Sequence, residues 1–459
     1  MTIVTSKRPA ALLAATALAI TGCAAAGAAR SDTAPSATSG TDAAVGTTVE
    51  WPVTRCGTYS GTGCAPTERR VDTVRPTFSN PTRITNPLFP IAGLDSVVLL
   101  GTVDGKPFRS ETTLIPGEHS VTVDGVAIPV AVSQYTAYLD GRLDEVAIDR
   151  YAQADDGAVW YLGEDVYDYR KGTVTITEGS WLAGRDGPPA MIMPAVPSPG
   201  QVFRPENITG VVFEEVEVVD VGKTVAGPRG PLEGAVTMRE LHLDGSYSDK
   251  VFAPGYGEFD TSSDGDTEAL ALAMPTDRID ELVPAALRLV STSAWGILEN
   301  VRLADWEAAN PTLRRVEALW RGLAAKNYPP RVATTMTRAL ADLKGAVAGE
   351  NTRAASQAAV DLAQSALDLE LLYLGTAELD RFHLHAQQLR VHAAAKDTAG
   401  VCGEVAVLEW IRARLAGFVS EERLTALDVA LRGLRGASDA GNVASAADQA
   451  ARAAAELRG

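Results

Sequence analysis

The stretch Val126–Gly141, VAIPVAVSQYTAYLDG, decides how the middle of the chain folds. β-Branched and aromatic residues of this kind suit a pleated, half-buried strand. The closing Asp140-Gly141 supplies the positive φ angles that a tight hairpin turn demands. The same pair recurs as Asp-Gly at positions 104, 124, 156, 186, 244 and 264, and nowhere outside this region. Between the pairs run further strand-like segments: Val97–Val103, Val159–Leu162, Thr173–Thr177, Val211–Val221 and Val236–Leu243. Several alternate polar with apolar, as Thr173-Val174-Thr175-Ile176 does, which places one face inward and one outward. The expectation for residues 86–275 is an antiparallel β domain, either barrel-like or a meander.

From Pro275 onward glycine thins and alanine, leucine and arginine take over. Helices are expected near 277–299, 311–326, 331–348, 352–374, 377–396, 400–418, 420–435 and 440–457. Asn310-Pro311 is read as a cap followed by a first-turn proline, and Ser420-Glu421-Glu422 as another start signal. Turns at Gly349-Glu350, Lys396-Asp397 and Ser438-Asp439 look alike and suggest repeated helical hairpins. The fold class is therefore multidomain α+β: the β domain, then an all-α antiparallel helical bundle over 276–459.

The first 22 residues read as a signal peptide: basic Lys7 and Arg8, then an apolar run from Ala10 to Ile20. That run is shorter than the ~20 residues a bilayer-spanning helix needs. Ile20-Thr21-Gly22-Cys23 resembles the lipobox of bacterial lipoproteins. The resemblance implies cleavage before Cys23, a diacylglycerol on its thiol, and attachment to a membrane on the extracytoplasmic face. Residues 23–50, nearly all Ala, Gly, Ser, Thr and Asp, read as a flexible tether. Residues 51–85 form a transition segment in which Cys56 and Cys64 bracket a flexible loop; a disulfide between them is expected in an oxidising compartment, with a metal pair as the alternative. Cys402 lies among alanines and valines and reads as a small buried apolar side chain.

The net charge is −17, and loss of Lys7 and Arg8 with the signal segment makes the remainder −19. No segment is rich in Lys or Arg, which argues against nucleic acid as a partner. No Gly-x-Ser-x-Gly, P-loop, His-Glu-x-x-His or Cys-x-x-Cys appears. His119 and His242 stand alone in sequence and read as surface or packing residues. Asp260–Glu268 carries the first half of an EF-hand pattern, but position twelve falls on Ala271, so a hairpin loop is favoured.

Two groups of residues stand out. The segment Gly179–Glu206 is long, proline-rich, and mixes Trp181, Met191 and Met193 with Arg185, Asp186, Arg204 and Glu206. That mixture suits the wall of a ligand pocket, with a flap over a sheet edge as the alternative. An acid pair such as Asp186 with Glu206 would support a hydrolase. Secondly, around a helical hairpin turning at Gly375-Thr376, Asp368 and His385 are equidistant from the turn, and so are Asp361 and His392. Level pairing would set each aspartate against one histidine, as a hydrogen-bonded pair or as ligands of a transition metal. Val159–Glu164, Gly179-Ser180-Trp181, Ala183-Gly184-x-Asp186-Gly187, Met193-Pro194, Gly200 and Phe252–Gly257 resemble a set of uncharacterised bacterial secreted proteins. That resemblance implies a domain and a location, and no reaction.

On this evidence the chain is expected to be a non-catalytic cell-envelope lipoprotein that binds a small molecule or an envelope protein partner. A metal-binding lipoprotein with its site in the helices, and an extracytoplasmic hydrolase, are the alternatives.

Overall fold

The computed structural model describes residues 55–373 and 377–457; Cys23, the tether and the turn at Gly375-Thr376 lie outside them. Fifteen strands come first. They are β1 (Ser96–Val103), β2 (Lys106–Leu114), β3 (His119–Val123), β4 (Val126–Leu139), β5 (Arg142–Gln153), β6 (Val159–Arg170), β7 (Thr173–Ile176) and β8 (Trp181–Leu182). The series continues with β9 (Ala190–Met193), β10 (Val202–Ile208), β11 (Val212–Gly227), β12 (Gly230–His242), β13 (Tyr247–Ala253), β14 (Gly257–Ser263) and β15 (Asp266–Met274). Eight helices follow: α1 (Ala285–Arg302), α2 (Trp306–Leu323), α3 (Pro330–Ala348), α4 (Thr352–Leu371), α5 (Glu378–Ala394), α6 (Thr398–Arg414), α7 (Glu421–Asp439) and α8 (Val443–Glu456).

The strands form one antiparallel sheet in the order β10-β11-β12-β13-β14-β15-β1-β2-β4-β5-β6-β7, with β3 on β4 and both β8 and β9 on β6. Its turns follow from the Asp-Gly chemistry. At 104–105, 124–125, 140–141 and 264–265 both residues have positive φ, as the two-residue hairpin joining adjacent strands requires. The 264–265 turn places the EF-hand-like segment in the β14–β15 hairpin.

The sheet is a curled meander rather than a closed barrel. One inner core gathers Val130, Tyr151, Trp160 and Tyr161 from one side with Val216, Met238 and Phe252 from the other. These strands lie far apart in sheet order, so the sheet curls back on itself. The remaining gap is spanned by packing: β9 pairs with β6 and lies against β10. Cys56 and Cys64 form the expected disulfide. Its loop sits on β11 and β12, where Tyr59 N–H donates to Leu243 O at 2.8 Å and Ala65 N–H to Glu215 Oε1 at 2.6 Å.

The outer face of the sheet carries the helices. Alternation puts Val97 and Leu99 inward and Val98 outward, where Val98, Ala271 and Leu272 share a core with α1–α4. Tyr138, Leu143, Val146 and Tyr169 share another with α5–α8. Each even-numbered helix is entered through one device: a residue with positive φ (Ala304, Glu350, Lys396, Gly441), then an Asp or Asn whose side chain caps the helix. The caps Asp305, Asn351, Asp397 and Asn442 are 46, 46 and 45 residues apart. The repeat is thus four helical hairpins. Asn310-Pro311 does not start α2: Asp305 does, Pro311 lies inside the helix, and the Asn310 amide turns back to Trp306 O. Cys402 is half-buried on α6, where its sulfur accepts a hydrogen bond from the Ser438 hydroxyl at 3.6 Å, and is not a fully buried apolar filler.

The inside of the curl is unusually acidic. Burial first, then the charges of Glu164 and Glu214, hold the Glu206 carboxyl well above its ordinary value near 4.5. Burial likewise pushes Glu164 up to about 7, and burial with Glu258 pushes Glu268 to about 8. The unfolded chain releases these protons near pH 4.5 and the folded chain only at higher pH. Folding therefore binds protons in that window, and stability falls as pH rises through it. Thermal unfolding is expected to occur at its highest temperature near about pH 5 and to decline toward about pH 8. Glu206→Gln should flatten the decline, and a melting temperature that rises over the same range would contradict this.

Candidate functional site

Strand β2 reads KPFRSETTL, and its alternation sends Arg109 and Glu111 to the outer face, under the helices. Glu111 is completely buried and meets three guanidiniums. Arg109 lies at 2.5 Å, Arg381 at 3.4 Å and Arg414 at 3.6 Å. Arg381 and Arg414 are also paired with Glu378, the latter at 2.7 Å, and Arg109 with Asp368 at 2.7 Å. Three cations thus face three carboxylates. Burial alone would raise the Glu111 carboxyl, but the charges of Arg381, Arg109 and Arg414 outweigh it and hold it well below the usual carboxylate range.

This network is the septum between two cavities. One, of about 960 Å³, touches Glu378 and Arg381. The other, of about 700 Å³, lies between β2, β4 and helices α3–α6 and is lined by Arg109 and Asp368. The second carries far more chemistry. On α5, Arg381, His385, Gln388 and His392 fall at helical spacing on one face. On α4, Gln357, Asp361, Gln364 and Asp368 do the same, and all but Arg381 line the cavity. Arg338 and Arg353 stand at its rim, exposed and without an ion-pair partner among the described residues.

His385 is held at both nitrogens. Nδ1 is 2.8 Å from Glu404 Oε2, and Nε2 is 3.3 Å from the Tyr138 hydroxyl. Glu404, His385 and Tyr138 form a relay along which a proton could be passed into the cavity. His392 Nδ1 lies 3.2 Å from Asp397 and its Nε2 3.0 Å from Gln388 Nε2. Asp361 reaches solvent through the cavity but is otherwise surrounded by protein, and that crowding pushes its carboxyl up to about 6.

All four residues Asp361, Asp368, His385 and His392 line this cavity, but the expected Asp–His pairs do not form. Asp368 takes Arg109 and Gln364, and Asp361 takes Gln357. The register explains it. Gln357 and Gln388 exchange amide hydrogen bonds at 3.0 and 2.8 Å, so they are level across the hairpin. On that register Asp368 is level with residue 377, and His385 lies eight residues further along, about 12 Å of helix rise. The sequence-based register assumed helices reaching the turn symmetrically; α4 ends at Leu371 and α5 begins only at Glu378. Around this cavity no three His, Cys, Asp or Glu among the described residues bring ligand atoms within 4.8 Å of one another, so these four are not a metal site as built.

The segment 179–206 likewise has another role. Trp181, Met191 and Met193 are buried in the inner core. They sit on β8 and β9 and seal the seam of the curl. Arg185 and Asp186 pair with each other in an exposed turn at 2.7 Å. Arg204 is buried against Glu215 at 2.9 Å and over the Phe213 ring. Glu206 does have an acid neighbour, but it is Glu164 and not Asp186. None of these residues lines either large cavity. Arg109, Glu111, Tyr138 and Glu404 were missed by sequence reasoning. The one available signal was a charged pair two apart on a face of β2 expected to be covered.

No protein-family model matches the chain, and no curated protein matches it.

Removing one member of a buried ion network leaves its partners as uncompensated charges, which costs about 3–5 kcal/mol. Glu111→Gln is expected to lose stability on that scale in denaturant unfolding. Arg412→Ala, which breaks the partly exposed pair with Asp428, should stay within about 1 kcal/mol. Equal effects from the two substitutions would show that the network does not hold the helices to the sheet.

Proposed function

We propose that the chain is a lipid-anchored, extracytoplasmic binding protein that takes a small polar ligand into the cavity between sheet and helices. One observation carries the reading: a cavity of about 700 Å³ with two unpaired guanidiniums at its rim and a lining of amides, carboxylates and imidazoles. A pocket of this size with a few fixed polar groups suits a small molecule. Arg338 and Arg353 favour an anionic group on the ligand, while Gln357, Gln364, Gln388 and Asp361 offer hydrogen bonds to hydroxyls or amines. Amino acids, sugar acids and short peptides have that chemistry. The acidic net charge and the absence of a basic stretch give nucleic acid no footing.

The anchor rests on the lipobox-like order ending at Cys23. Cys23→Ser is expected to move the protein out of the detergent phase, or to leave it unprocessed. A mature chain whose Cys23 sulfur is recovered in a disulfide instead of a thioether would contradict the anchor.

A second reading, hydrolytic chemistry, is favoured by the Glu404–His385–Tyr138 relay. Turnover of chromogenic esters that disappears in His385→Ala would favour it over binding alone. For the binding reading, calorimetry with amino acids, sugar acids and dipeptides should find at least one that binds saturably. Arg338→Ala with Arg353→Ala should weaken that ligand about tenfold or more, the loss of one charge-assisted contact of ~1.4 kcal/mol. Because Asp361 changes charge near pH 6, affinity for an anionic ligand should fall as pH rises from about 5 to about 7. Binding unaffected by the paired substitution would place the ligand elsewhere.

A further inference from the structure

A second cluster lies inside the curl, away from the cavity. Glu206 on β10 is directly opposite Glu214 on β11, and Glu214 is directly opposite His242 on β12. Glu240 precedes His242 by two residues and so shares its face. The result is a row of inward side chains across three adjacent strands. His242, which stands alone in sequence, is in this fold the centre of a constellation.

The contacts are close. Glu214 Oε1 lies 3.3 Å from His242 Nδ1. Ser248 Oγ is 3.0 Å from His242 Nε2 and donates to Glu240 Oε2 at 3.2 Å. Lys250 Nζ lies 2.8 Å from the same Glu240 oxygen. Glu214, Glu240, His242 and Lys250 are each at most 4% exposed. Beyond His242 and Glu240, the Glu214 carboxyl has no hydrogen-bond partner among the described residues. A buried carboxylate left in this way is costly unless something else satisfies it.

We propose that Glu214, Glu240 and His242 bind one divalent first-row transition-metal ion inside the β domain. One ligand atom from each residue falls within 4.8 Å of the other two, the only such group among the described residues. An ion at ordinary bond lengths of ~2.0–2.2 Å would draw them closer by side-chain adjustment alone. Two carboxylates with one imidazole is a donor set for zinc, manganese or iron, not for a soft monovalent ion. Glu206, next in the row, is placed to act as a fourth ligand or to orient one. Lys250 occupies the position of a competing cation at Glu240; it lies in the field of Glu258 as well, and so keeps a carboxylate when displaced. The Cys56–Cys64 loop holds the same two strands from their other face. The ion would therefore fasten β11 to β12 from inside the curl.

The test uses the full mature chain, free of any tag, stripped with chelator and re-equilibrated with Zn(II) alone. Elemental analysis after desalting should give one zinc per chain, and zinc should raise the thermal midpoint. Glu214→Gln and His242→Ala, each verified as folded by circular dichroism, should weaken zinc at least tenfold. His385→Ala with His392→Ala, at the other cavity, should leave it unchanged. Lys250→Met, which removes the competing cation, should tighten binding. The proposal is overturned if the wild-type chain retains no zinc above background, if binding survives both ligand substitutions, or if Lys250→Met leaves affinity as it was.

Discussion

Everything outside the curled sheet depends on how the fully buried Glu111 carboxylate is kept charged. Three guanidiniums, one from its own strand and one each from α5 and α6, surround it. Removing two charges from water is expensive, and only close, multiply bonded geometry offsets that. The network achieves it by matching cations to carboxylates, so neither the sheet nor the helices can be withdrawn without stranding charge. The apolar packing on both sides of the network then follows. Val98 and Leu272 enter the core of α1–α4, and Tyr138 and Val146 enter that of α5–α8.

That constraint also makes the cavity. Four helical hairpins built on one turn device would pack against a smooth apolar surface without leaving space. Here β2 and β4 present charged and hydroxyl-bearing side chains to α4, α5 and α6. The polar groups keep those helices from closing fully over the strands. The functional proposal and the stability argument thus share their residues: Arg109 and Asp368 belong to the septum and to the cavity lining at once.

What could be read in the sequence was local. Asp-Gly at 104, 124, 140 and 264 specifies tight turns through backbone sterics alone, and the structure has them as such. Eight helices were legible because alanine- and leucine-rich periodicity needs no tertiary partner to be recognised. Three things were not legible. The level pairing of α4 and α5 depends on where each helix stops, which a sum of residue numbers cannot know. The 179–206 segment looked like a loop because its short strands pair with β6 only once the sheet has curled. His242 looked isolated because its neighbours Glu214 and Glu240 are brought to it by strand register. The loss of Asp-Gly pairs near Met274 marks a change of secondary structure; the cores that follow run across it.

The central claim is that sheet and helices are one cooperative unit joined through the buried network. Native-state hydrogen exchange across a denaturant series tests it most directly. Amides of β2 and β4 and those of α5 and α6 should merge into a single opening reaction with a common free energy and denaturant slope. Helical amides that open at distinctly lower free energy, while β2 and β4 stay protected, would contradict it.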